Sequence, residues 1–106
     1  MAYIGKVTTS NEWAKLEDLI KDQVDGQSAF AFDISKTYNL QVETPRGQYV
    51  FGVYLCDSTA EPANADDGEH LEEYQFGIYQ PESGYDLWVK SRGINASVKM
   101  SISEQQ

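Results

Sequence analysis

The chain has 106 residues with 17 acidic and 8 basic side chains, a formal net charge of −9, and an aromatic set of seven Tyr, four Phe and two Trp. This length fits one domain, 1–106, with a modest core, and the apolar content is too high for a disordered acidic protein. Nine of the carboxylates (Asp57, Glu61, Asp66, Asp67, Glu69, Glu72, Glu73, Glu82 and Asp86) fall between positions 57 and 86 with no Lys or Arg among them. The other residues balance, so a phosphate backbone finds no basic cluster with which to exchange counterions, and direct nucleic-acid binding is not expected.

The first element read along the chain is a helix. Thr9-Ser10-Asn11-Glu12 fits a capping box, which predicts a start near Ser10. Trp13, Leu16, Ile20 and Val24 follow at spacings of three and four, joined by Leu19, while Lys15, Glu17, Asp18, Lys21 and Asp22 fall on the water-facing side. Gly26 supplies a left-handed stop. The expectation is a helical arm over about 10–25, followed by a β domain over about 29–104.

Beyond the helix the hydrophobic period changes from 3.6 to 2. Phe30, Phe32 and Ile34 alternate with Ala31 and Asp33, and Tyr38, Leu40 and Val42 alternate with Asn39, Gln41 and Glu43, which predicts two half-buried strands. Thr44-Pro45-Arg46-Gly47 carries turn chemistry, so the second of these and Gln48 to Cys56 read as a hairpin whose second strand is central. Residues 57 to 68 form a polar connection. Strand character returns over Glu72 to Tyr79, with Tyr74, Phe76 and Ile78 in one phase, and Pro81-Glu82-Ser83-Gly84 makes a turn. Leu87 to Ser91 and Ala96 to Ile102, joined by Arg92-Gly93-Ile94-Asn95, read as a last hairpin with Ala96, Val98, Met100 and Ile102 on its buried face.

Six or seven short strands and one helix argue for a mainly β fold, an antiparallel β-sandwich or flattened barrel with one N-terminal α-helix. The expected core comprises Trp13, Leu16, Ile20, Leu40, Val42, Phe51, Val53, Phe76, Val89, Val98 and Met100, the apolar phase of each element.

The chemistry-bearing residues are sparse. A single Cys56 excludes an intrachain disulfide framework and a Cys-based zinc site, which suits a reducing cytoplasm. His70 is the only histidine and stands among Glu69, Glu72 and Glu73 in no catalytic signature. Asp66-Asp67-Gly68-Glu69 lacks the alternating acidic spacing of an EF-hand, and a phosphate-cradling glycine loop is absent. No catalytic residues, metal or cofactor are therefore expected, and the chain reads as a non-enzyme. Met1 to Val7 lacks the apolar run of a signal peptide, and no stretch approaches the roughly 18 apolar residues of a membrane span, so a soluble cytosolic product with no membrane partner is expected.

Thr37-Tyr38-Asn39-Leu40-Gln41-Val42, Ala60-Glu61-Pro62, Asp67-Gly68, and Leu87-Trp88-Val89-Lys90-Ser91 leading to Ala96-Ser97-Val98-Lys99-Met100-Ser101-Ile102 carry a family resemblance. The chain is similar over about residues 35 to 104 to small β-rich virion structural proteins of tailed bacteriophages. That resemblance implies a capsid-associated protein (decoration or head-fibre base) or a connector or tail component, localised to the virion after synthesis in the host cytoplasm. Its partners would be other virion proteins and copies of itself, with the helix as an extra feature for docking to neighbours.

Two other classes compete with this reading. A small acidic mimic of DNA that inhibits a host nuclease needs carboxylates spaced like phosphates along one face. A carbohydrate-binding sandwich needs an exposed platform, for which Trp88 and Tyr85 are the candidates. For an assembly protein, the interaction candidates are Asp57, Glu61, Asp66, Asp67, Glu69, Glu72 and Glu73, whose like charges at short range call for solvation or basic groups on another chain.

Overall fold

The computed structural model describes residues 2–43, 52–63, 69–71, 76–91 and 98–105. Among the described residues eight strands and one helix follow in chain order: β1 (Ala2–Thr9), β2 (Ala14–Lys15), α1 (Leu16–Gln23), β3 (Thr37–Glu43), β4 (Val53–Ser58), β5 (Glu69–Leu71), β6 (Phe76–Tyr79), β7 (Asp86–Ser91) and β8 (Val98–Gln105). They build two four-stranded antiparallel sheets, ordered β1-β8-β3-β6 and β2-β7-β4-β5. The fold is mainly β and sandwich-like with a single helix, as the alternating pattern predicts.

The core follows from strand register. In the first sheet Val7, Met100 and Val42 lie side by side across three strands, and the next inward row runs Gly5, Ile102, Leu40, Gly77. Val53, Leu87 and Val89 supply the inner face of the second sheet, and Leu16 and Ile20 of α1 are fully buried in the same core. Each such aliphatic side chain removed from water contributes roughly 1.5–3 kcal/mol. Gly5 is required by a close approach. Val24, just past the helix, packs so tightly that a Cβ at position 5 would lie 2.7 Å from both of its methyl carbons.

Helix α1 is shorter than the capping box suggests. Thr9 ends β1 instead of capping a helix, because its hydroxyl is buried 2.6 Å from that of Ser91 and its backbone pairs with Val98. Long-range pairing outweighs the local signal. The helix starts at Leu16 behind Lys15, which makes no side-chain cap, and Glu17 and Asp18 in the first turn complement the helix dipole instead. Val24 ends the helix, and Gly26 (φ 80°) takes the left-handed position of the turn closed by the Gln27 amide on the Val24 carbonyl. Trp13 precedes the helix and is only half-buried.

Gln23, in the last turn, closes a sheet edge. Its amide group accepts from the Thr8 backbone amide (2.7 Å) and donates to the Thr8 carbonyl (3.0 Å), so it stands where another strand would pair with β1. Unpaired edge groups otherwise invite association with another chain.

Four strand expectations are corrected. Phe30 to Ile34 is not a strand: Phe32 packs edge-on against Phe30, Tyr38 and Tyr79, with ring centroids 5.0, 4.8 and 5.1 Å away. Its aromatic alternation serves a cluster, not a ladder. β3 and β4 do not form a hairpin, and neither do β7 and β8, because each pair is divided between the two sheets. β4 is nevertheless an interior strand, between β7 and β5. In β6 the apolar phase is reversed at Ile78, which is 71% exposed while Tyr79 is buried. Tyr79 pairs with Tyr38 and Gly77 with Leu40, so register with β3 turns the aromatic ring inward and the isoleucine out.

Of the expected core, Leu16, Ile20, Leu40, Val42, Val53, Val89 and Met100 are buried. Phe51, the turns at 44–47 and 92–95, and the strand start at 72–75 lie outside the described residues, as do the side chains of Phe76 and Val98. Among the described residues no helix is long and apolar enough to cross a membrane.

Candidate functional site

One end of the sandwich opens into a cleft of about 180 Å³ between the start of α1, the segment at 32–34 and the β6–β7 turn. Local hydrogen bonds set its walls. Glu17 accepts from the Phe32 amide through Oε2 (3.1 Å), which ties the aromatic segment to the helix. Asp33 Oδ1 accepts from both the amide and the hydroxyl of Ser35 (2.9 and 2.7 Å), and the Asp33 amide donates to Tyr38 Oη (2.9 Å). These bonds to Ser35 hold the Asp33 carboxyl below its usual range. The segment is thereby fixed with Phe32 inward and Ile34 58% exposed.

The opposite wall is a turn that the sequence did announce. Pro81 is buried, the Tyr85 amide donates to the Glu82 carbonyl (3.0 Å), and Gly84 takes the positive φ of 84° that this turn demands. Glu82 and Tyr85 are thus presented at the mouth, Tyr85 with 43% exposure.

Carboxylates dominate the electrostatics. Glu17, Glu82 and Asp86 line the cleft against one ammonium, Lys15. Two of the three are already engaged: Asp86 pairs with Lys15 (3.4 Å), and Glu17 with Lys21 (3.5 Å). Glu82 forms no ion pair among the described residues. Asp57, near the end of β4 and opposite Leu87, is held above the usual carboxylate range by lost hydration first, then by repulsion from Glu82 and Asp86.

At the inner end stands Tyr79, 7% exposed. Burial first, and then Asp57, Asp86 and Glu17, push its phenol well above its ordinary value, so it stays a neutral hydroxyl. That hydroxyl is not sealed from solvent, and among the described residues it has no hydrogen-bond partner.

The acidic residues singled out by charge alone are placed unevenly. Asp57 is drawn into the electrostatics of the cleft, and Glu61 is exposed beyond the end of β4. Glu69 opens β5 opposite Leu55, its side chain outside the described residues, as are Asp66, Asp67, Glu72 and Glu73. Among the described residues no group of three or more His, Cys, Asp or Glu is arranged to hold a metal ion.

Sequence reasoning missed Glu17, Phe32, Ile34 and Tyr79 as site residues. Glu17 carried no signal beyond a water-facing helix position, and Tyr79 fell out of phase with the apolar residues of its segment. Trp88, a platform candidate, is half-buried on β7 with the Lys15 ammonium 5.6 Å from its ring centroid.

No protein-family model, curated protein or solved structure matches the chain.

Proposed function

We propose that the chain is a non-enzymatic bacteriophage virion structural protein, a capsid-associated (decoration or head-fibre base) or connector or tail component that acts by protein–protein assembly. The observation that carries the assembly part of this reading is the acid-rimmed cleft with Ile34 and Tyr85 exposed at its mouth. Apolar side chains bordering a polar rim are the anatomy of a protein interface. The virion part rests on the resemblance of residues 35 to 104.

The acidic surface gives the association its expected salt dependence. Exposed charge contacts weaken as the Debye length shortens, so the protein should be shed progressively from its partner between about 0.05 and 0.5 M salt. The decisive test is a mass-spectrometric inventory of purified virions of the phage encoding the chain. Presence at a fixed ratio to the major capsid protein is the expected result, and absence from purified particles overturns the virion assignment.

A further inference from the structure

We propose that the outer edge of β6 takes up an extended segment of a partner protein as an added strand of its sheet, a segment with β-branched residues at its centre and basic residues at its ends. The inference rests on the assembly reading and supplies a contact for it.

The four outer strands of the two sheets are finished differently. At β1 the ladder with β8 shifts register between Tyr3 and Gly5, and the Gln23 side chain occupies the Thr8 backbone. β2 has only two residues, and β5 opens on Glu69-His70. Irregularity, a covering side chain, short length and charge are the means by which an edge is kept from pairing with another chain. β6, Phe76-Gly77-Ile78-Tyr79, carries no charge and no Pro, and its antiparallel register with β3 is regular over all four positions. Among the described residues β3 is its sole strand partner, and no hydrogen bond from another segment reaches it. Alternate residues of an antiparallel edge strand direct both backbone groups away from the sheet, so β6 offers about four ladder bonds.

A second observation lies on the outer face of the same strand. Ile78 is 71% exposed at the end of the row Tyr3, Ser103, Asn39, Ile78, and its cross-strand neighbour is the polar Asn39. A β-branched residue on an added strand would cover it. On the inner face Tyr79 is buried and meets the Phe32 ring edge-on at 5.1 Å, which holds β6 in place as a preformed template.

Charge decides the occupant. In sequence β6 lies between Glu72-Glu73 and Glu82, and no Lys or Arg occurs from 57 to 89. Glu82 is exposed and forms no ion pair among the described residues. A strand with basic ends complements both acidic flanks, while its main chain supplies the ladder and its central side chains the apolar cover. A second copy joined through its own β6 would bring the same acids to the junction, with a net charge of −9 on each chain, and is repelled.

The test is an NMR titration of the full isotope-labelled chain at low salt with the capped peptide Lys-Thr-Val-Thr-Val-Lys. Two controls accompany it: the same peptide N-methylated at its four central residues, and the same peptide with Glu at both ends. N-methylation keeps charge and side chains but removes the ladder donors. Saturable shifts centred on the amides of Gly77, Ile78 and Tyr79 are expected, with intermolecular contacts between peptide and β6 backbone protons. Each control should bind at least about tenfold more weakly. Ile78→Ser, at an exposed position, should keep the fold and weaken binding about two- to fivefold. Absence of saturable binding, shifts centred on another segment, or unchanged affinity in Ile78→Ser overturns the proposal. Equal binding of the N-methylated peptide also overturns it, in favour of charge attraction alone. Dimerisation of the chain by itself through the same resonances overturns it and assigns the edge to a second copy. The two readings fail separately: a peptide that does not bind, with the chain present in virions, removes the strand-addition site alone.

Discussion

Two hydroxyl sites in this sandwich have different accommodations. Thr9 and Ser91, 1% and 0% exposed, place their hydroxyls 2.6 Å apart and so tie β1 of one sheet to β7 of the other. The neighbouring Ser10 carbonyl accepts from the Ser91 amide at 2.7 Å, which strengthens the same junction. Tyr79 is 7% exposed, and its hydroxyl, which lines a cleft, is not sealed from solvent and has no partner among the described residues. The first site is closed chemistry and contributes to stability. The second opens to the cleft and adds no bond between described residues.

Breaking the closed site has the largest expected effect. Thr9→Val keeps the volume but strands the Ser91 hydroxyl in the core, so it should destabilise the fold by about 1–3 kcal/mol in urea unfolding. Adding Ser91→Ala removes the stranded group and should recover part of that loss, whereas strictly additive losses would show that the two hydroxyls do not act as a pair.

Gln23→Ala comes next. It removes both side-chain bonds to the Thr8 backbone at a solvent-exposed edge, for an expected cost of about 0.5–1.5 kcal/mol. The Thr8 amide should lose hydrogen-exchange protection. Retained protection would mean that something other than Gln23 guards the edge.

Tyr79→Phe probes the open site and should leave stability within about 0.5 kcal/mol of the parent, because no hydrogen bond to a described residue is lost. A loss as large as that of Thr9→Val would show that the hydroxyl is structurally engaged, and the contrast between the two sites would collapse.

The smallest effect is electrostatic and depends on pH. The folded chain holds the Asp57 carboxyl above its usual range, so over that window the native state keeps a proton that the unfolded chain has released. Stability therefore falls as pH rises through the window, and the ionised group costs stability above it. Asp57→Asn should raise the Tm at pH 7 by the equivalent of about 0.5 kcal/mol or less, given solvent screening. The advantage should fade near about pH 3, where the parent carboxyl is protonated too. A Tm gain that is the same at both pH values would assign the effect to packing.

The β character, the core phase of β3, β7 and β8, and the turn at Glu82–Tyr85 were legible because each is a local pattern. Leu40 and Val42, or Met100 and Ile102, alternate with polar residues, and one buried sheet face is the only arrangement that separates them. The cleft was only half legible. Glu82, Tyr85 and Asp86 lie in a stretch marked by charge and turn chemistry, whereas Glu17, Phe32 and Tyr79 come from three other segments that carry no shared signature.

By itself the sequence determined that the chain forms a mainly β domain with one amphipathic helix and an acidic surface, since period and charge are properties of short stretches. Only the tertiary structure decided that Thr9 serves a strand, that the 30–34 segment folds into an aromatic cluster, and that consecutive strands such as β7 and β8 belong to opposite sheets. The physical reason is common to all three. An alternating strand buries its apolar face equally well beside its sequence neighbour or across the sandwich from it, so the choice rests on long-range pairing energies to which no local pattern is sensitive.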